Sequence, residues 1–217
     1  MIKIYGDLAS GNCYKVKLLA TLLNLPHTWQ HVDIMAGATR VEAFTHMNPN
    51  LKIPVLEISP NVYLSESNAI LNYLAEGTSL LPSAPLARAR VLQWQFFEQY
   101  SHEPYIAVAR FIAKYLGMPA DRISEYRAKQ EGGHRALQVM AAHLDHAVFL
   151  SSDQFGIADI SLYACTHVAA EGGFTLDLYP SILRWLARVE SIPGHRTMVP
   201  LLADQTKSSD GHGEALT

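Results

Sequence analysis

The run Asn48-Pro49-Asn50-Leu51-Lys52-Ile53-Pro54-Val55-Leu56 puts a proline, Pro54, at the first position of a β-rich segment. Proline has no N–H to give to a ladder, so at a strand start it leaves the preceding backbone free to face outward. The Ile53-Pro54 bond is of the type that can be cis, an outcome found in about 5–6% of such bonds. Downstream, Ser59-Pro60 splits Pro54–Ile58 from Asn61–Leu64, which predicts a hairpin. Glu66–Ala75 then predicts a helix with Ile70, Leu71 and Leu74 on one side, and Gly77 stands where a left-handed residue ends it. Upstream, Val41–Met47 reads as a short helix stopped by Asn48-Pro49, Thr28–Ile34 as a strand, Asn12–Asn24 as a helix and Ile2–Tyr5 as a strand. The order is β-α-β-α-β-β-α: a βαβ unit followed by an antiparallel hairpin.

Past Gly77–Pro85, a Ser/Pro/Gly-bearing linker, strand signals stop. Helix-like segments follow at Leu86–Leu116, Asp121–Phe149, Ile157–Ala170, Ser181–Ser191 and His195–Ala203. This predicts an α/β domain over 1–77 and an all-helical domain over 86–203, with a polar tail, 204–217, expected to be disordered. The His102-Glu103-Pro104 triplet is expected to kink the first long helix.

The chain has 217 residues, enough for one to two domains with a substantial core. Lys and Arg total 17 against 20 Asp and Glu, a formal charge of −3, which argues against nucleic acid as the main partner. The two cysteines, Cys13 and Cys165, fit neither a disulfide framework nor a zinc spacing, so a reducing compartment is expected. The N-terminus meets Asp7 before any apolar run, and Leu18–Leu25 is too short to span a bilayer. A cytoplasmic protein with no membrane and no metal follows as the expectation.

Ser10 falls at the start of the first helix, where free N–H groups and the dipole favour an anion. The spacing Ser10-x-x-Cys13 copies a Cys-x-x-Cys loop with serine in the place of the attacking thiol. On this segment alone, Ser10 reads more readily as a plain helix cap. Glu66-Ser67 opens the third helix, and an acid beside a hydroxyl and free N–H groups suits the ammonium and carboxylate of an amino-acid head group.

Taken in order, Ser10 and Asn12, Asn48-Pro49 with Lys52-Ile53-Pro54-Val55, Glu66-Ser67-x-Ala69-Ile70-x-x-Tyr73-Leu74, and Ile157-Ala158-Asp159-Ile160 resemble the glutathione S-transferases over about the first 200 residues. The resemblance implies a thioredoxin-like N-terminal domain, an all-helical C-terminal domain and a homodimer. Ser10-Gly11-Asn12 is similar to both the theta-like classes, which use serine, and the bacterial nu-like class, so Ser10 and Asn12 are the implied catalytic pair. For glutathione the resemblance implies Ile53 on the cysteinyl backbone, Pro54 as the cis-proline, Glu66 and Ser67 on the γ-glutamyl end, Lys52 on the glycyl carboxylate, and Thr39 and Arg40 in the loop near it. Tyr105 and Phe111, from an aromatic stretch that is otherwise expected to be mostly core, are the implied electrophile wall. One departure is Gly156, which stands where the family's Ser/Thr cap before Asp159 would be.

The implied activity is transfer of a hydrophobic electrophile to the glutathione thiolate. A nu-like disulfide reductase or peroxidase and a non-catalytic module of the same fold are the alternatives, and thiol-redox work by Cys13 is a third. His143-x-x-His146 has ligand spacing but no third partner, so surface histidines are expected. Cys165 is expected in the core.

Overall fold

The structure, a computed structural model, describes residues 1–198. The expected element order is present: β1 (Ile2–Gly6), α1 (Gly11–Leu22), β2 (His27–His31), α2 (Glu42–Met47), β3 (Val55–Ser59), β4 (Val62–Ser65) and α3 (Ser67–Ala75). The sheet runs β2-β1-β3-β4, with β1 parallel to β2 and antiparallel to β3. β2 sits earlier than its apolar residues suggest, because its register is set by β1, with Ile2 opposite His27 and Gly6 opposite His31. A register shift between Glu57 and Ser59 bends the β3–β4 hairpin. Ile4, Val16, Ala20, Leu56 and Ile70 pack between the sheet and α1 and α3, while Val32, Phe44 and Val55 form a smaller cluster with α2. Gly77 holds φ +76, as its place after α3 predicts.

The second half is helical: α4 (Pro85–Phe97), α5 (Glu103–Arg110), α6 (Ile123–Leu144), α7 (Ile157–Thr166) and α8 (Pro180–Glu190). The thioredoxin-like sheet domain and the all-helical domain are thus both present. Helix α4 runs into α5 through a π-helical turn at Glu98–His102, and a second follows at Phe111–Tyr115. Pro104 explains the first: it lacks the N–H that would reach Tyr100, and its ring would meet that carbonyl. The preceding turn widens, and the Glu103 N–H bonds the Glu98 carbonyl, five residues back. The kink expected at Pro104 is therefore a bulge that turns side chains without ending the helix.

Every residue of α7 is buried, its polar Asp159, Ser161 and Thr166 included. Its core reaches both domains, joining Tyr14, Leu18 and Leu19 of α1 to Ile160, Tyr163 and Trp185. The departure at Gly156 has a steric reason. A Cβ there would lie 2.9 Å from the Leu80 carbonyl oxygen, which accepts the Ile157 N–H at 3.0 Å. The acidic half of the cap survives, with the Gly156 N–H donating to Asp159 Oδ2 at 3.1 Å. Residues 195–198 are not helical, and the remainder of the expected His195–Ala203 segment and the tail lie outside the described residues.

Candidate functional site

A cavity of about 450 Å³ lies between the two halves. Ser10, Asn12, Lys52, Ile53, Pro54, Glu66, Ser67 and Thr39 all line it, so four separate segments of the sheet domain converge there. Ile53-Pro54 is cis. Arg40 is exposed and does not line the cavity; the 3-10 turn at Ala38–Arg40 presents buried Thr39 instead.

The opposite wall comes from the long helix and holds Glu103, Ala107, Val108, Arg110, Phe111 and Tyr115. Phe111 is there, but Tyr105 is not. Its ring lies on α6, where a Cβ added to Gly132 would come within 2.2 Å of Tyr105 Cε1. Tyr115 takes the aromatic place instead, stacked on Phe111 at 5.3 Å. The π turns cause this exchange, because each shifts the facing of later residues away from a simple 3.6-residue count. The expectation that the aromatic stretch is mostly core also needs correction, since Phe96 is 70% and Tyr100 85% exposed.

Ser10 occupies the cap position of α1 with φ −78° and ψ 126°, yet its side chain makes no cap hydrogen bond. The plain-cap reading thus lacks its defining contact. Asn12 is held more firmly. Lys15 Nζ donates to Asn12 Oδ1 at 2.8 Å, and Ser67 Oγ donates to the same oxygen at 3.2 Å. Because lysine has only donors, it must face the amide oxygen, which turns Asn12 Nδ2 toward the cavity and Glu103 Oε1 at 3.3 Å.

Lys15 is fully buried, as is its partner Glu98 at 2.9 Å. Nζ also donates to Ser67 Oγ at 3.3 Å. Glu98 Oε2 in turn accepts from Asn68 at 3.0 Å and Gln99 at 2.7 Å. This network ties α1, α3 and the π turn beneath the cavity. Nothing in the sequence patterns singles out Lys15 or Glu98; the only available signal is that Lys15 lies one helical turn from Asn12.

Glu66 has φ 69° and ψ 110°, a conformation costly for a residue with a Cβ. It exposes the acid at the cavity rim while Ser67 is buried at the first turn of α3. Cys13 is fully buried, and burial pushes its thiol up to about 12. Full burial and the raised thiol both disfavour a thiolate, which argues against Cys13 as a redox nucleophile. Cys165 is buried as expected and touches the cavity floor. His143 packs on Trp94 at 4.9 Å. No group of three or more metal-ligating side chains occurs among the described residues, and none of their helices is long and apolar enough to cross a membrane.

Residues 9–76 match the glutathione S-transferase N-terminal domain and 98–193 the C-terminal domain. A solved glutathione S-transferase from Pseudomonas fluorescens [Pf-5] is 56% identical, with a TM-score of 0.90 over 91% of this chain and 98% of that one. Glutathione S-transferase 2 of Anopheles gambiae is 30% identical over 92% of this chain and 95% of its own. Disulfide-bond oxidoreductase YfcG of Escherichia coli (strain K12) is 27% identical over 96% of this chain and 100% of its own. With both domains matched and relatives that align over nearly their whole length, the chain belongs to the glutathione S-transferase family.

Proposed function

We propose that the protein is a glutathione transferase that ionises the glutathione thiol and directs it at an electrophilic small molecule. The observation that carries this reading is the Asn12 amide, whose oxygen is clamped by Lys15 and Ser67 so that its N–H groups face the cavity. A free thiol of pKa about 8.5 is only a few per cent ionised at neutral pH, and preorganised donors at the sulfur lower that value. Asn12 is the principal donor, because its orientation is set before substrate arrives. The Ser10 hydroxyl and the N–H groups at the start of α1 assist it.

Glu66 and Ser67 hold the γ-glutamyl end, Ile53 and Pro54 the cysteinyl backbone, and Lys52 the glycyl carboxylate. Ala107, Val108 and Phe111 offer the electrophile an apolar wall. The buried, unpaired cysteines fit a reducing cytoplasm. The exposed stripe Leu92, Phe96 and Tyr100 is the proposed contact with a second copy in a homodimer.

The relationship to a disulfide-bond oxidoreductase supports glutathione-dependent disulfide reduction as a second reading of the same site. Assays with a chloronitrobenzene, an organic hydroperoxide and a mixed disulfide separate the two. Asn12→Ala is expected to lower kcat/KM by about 10- to 1000-fold, the range for losing one preorganised donor, with Ser10→Ala milder. Cys13→Ala should stay within a fewfold of wild type. Loss of turnover in Cys13→Ala with Asn12→Ala and Ser10→Ala active would reverse the assignment.

A further inference from the structure

Two carboxylates stand near Asn12, and the structure treats them differently. Glu98 is fully buried and neutralised by Lys15 at 2.9 Å. Glu103 is partly buried, lines the cavity and has no ion-pair partner among the described residues. Its hydrogen bond is the one accepted from Asn12 Nδ2 at 3.3 Å. An acid placed beside the amide that is to hold a thiolate is a costly choice if both carry charge, since two anions would then share one donor group.

Resting on the glutathione reading above, we propose that the Glu103 carboxylate takes the proton that leaves the glutathione thiol, so that thiolate forms in the cavity without releasing a proton to solvent. Two acceptors on one NH₂ group lie about 5–6 Å apart, a gap that a single water spans. The S–H bond breaks with its electron pair left on sulfur, the water receives that proton, and the water's own proton passes to Glu103. The site's net charge is unchanged, and Glu103 becomes a neutral carboxylic acid able to donate a hydrogen bond toward the sulfur. When the thiolate attacks, its new bond to carbon or sulfur displaces a leaving group that departs with the bonding pair. A basic leaving group such as a thiolate or alkoxide takes the proton back, whereas with chloride the proton passes to water; either way the carboxylate is restored.

The charged surroundings suit a proton acceptor. Burial and Glu98 raise the Glu103 pKa above the ordinary carboxyl value, while Lys15, the Asn12 amide and Lys52 oppose them. Glu66 at the α3 start, Arg110 along the helix, the Tyr115 phenol, which burial keeps protonated, and the protonated Cys165 thiol of α7 complete the titratable groups lining the same cavity. A raised carboxyl and a lowered thiol approach each other in proton affinity, which is the condition for efficient transfer between them.

The test follows thiolate by ultraviolet difference absorbance while glutathione is added to wild-type protein in weakly buffered indicator dye near neutral pH. Well under one proton should reach the dye per thiolate formed. In Glu103→Gln, whose amide oxygen can still accept from Asn12, one proton per thiolate is expected, with kcat/KM down about a hundredfold and little change in glutathione KM. Wild type that releases one proton per thiolate, or a Glu103→Gln variant with an unchanged proton count, overturns the relay alone. Wild type that binds no glutathione overturns the transferase reading and the relay with it.

Discussion

At the scale of single residues, identity and role separate cleanly. Asn12, Glu66 and Ser67 were legible because each stands at a helix start, a place where the backbone itself favours a polar ligand. Lys15 and Glu98 were not, because a charged residue in a helix reads by default as a solvated face, and only packing shows that both are at 0% exposure. In the proposed site Ser67 has a double part: its hydroxyl bonds Asn12 and receives Lys15, and its first-turn N–H would take the γ-glutamyl carboxylate. Calorimetry on Ser67→Ala should therefore show glutathione affinity weaker by about 1–3 kcal/mol, as when a charged group loses a hydrogen bond. Unchanged affinity would remove Ser67 from the site and favour the non-catalytic reading.

At the scale of elements, periodicity placed the helices, but the two π turns escaped it, since a widened turn leaves the run of helix-forming residues intact. Tyr105, which the resemblance implies for the cavity wall, lies on α6, with Tyr115 in its stead. The first π turn also buries His102 against α7, where Thr166 Oγ1 donates to the Leu162 carbonyl at 2.7 Å. That hydroxyl can only accept from His102 Nε2, at 2.9 Å, so Nδ1 is bare and buried. Burial pushes His102 down to about 4 from 6.5, so the stability held by its neutral form is full above about pH 6.5 and is lost as pH falls toward 4. His167, pushed down to about 4 by burial, adds in the same direction. Asp159, pushed up to about 6, gains a proton over the same range and offsets about one histidine. Thermal melts from pH 7 to 4.5 should show His102→Gln losing less stability than wild type, by up to about 3 kcal/mol. Parallel curves would mean that His102 is not the acid-sensitive group.

At the scale of the whole molecule, Leu92, Phe96 and Tyr100 recur every four residues on α4 and its continuation, and they leave a continuous apolar stripe in water. Sedimentation should return a species of twice the 24.0 kDa chain mass at micromolar concentration, and Phe96→Glu should shift it toward the single chain. A 24.0 kDa species for wild type would contradict the homodimer. The sequence alone determined the strand and helix order, the thioredoxin-like first half and most of the polar residues of the sheet-side wall, Arg40 excepted, because these depend on local signals: apolar period, proline and glycine at turns, polar residues at helix starts. The tertiary structure alone decided the opposite wall, the burial of the Lys15–Glu98 pair and the partners of Asn12 and Glu103. Those depend on how one helix, widened twice by π turns, faces another domain across a cavity, and side-chain direction through such a turn is set by packing between residues some ninety positions apart.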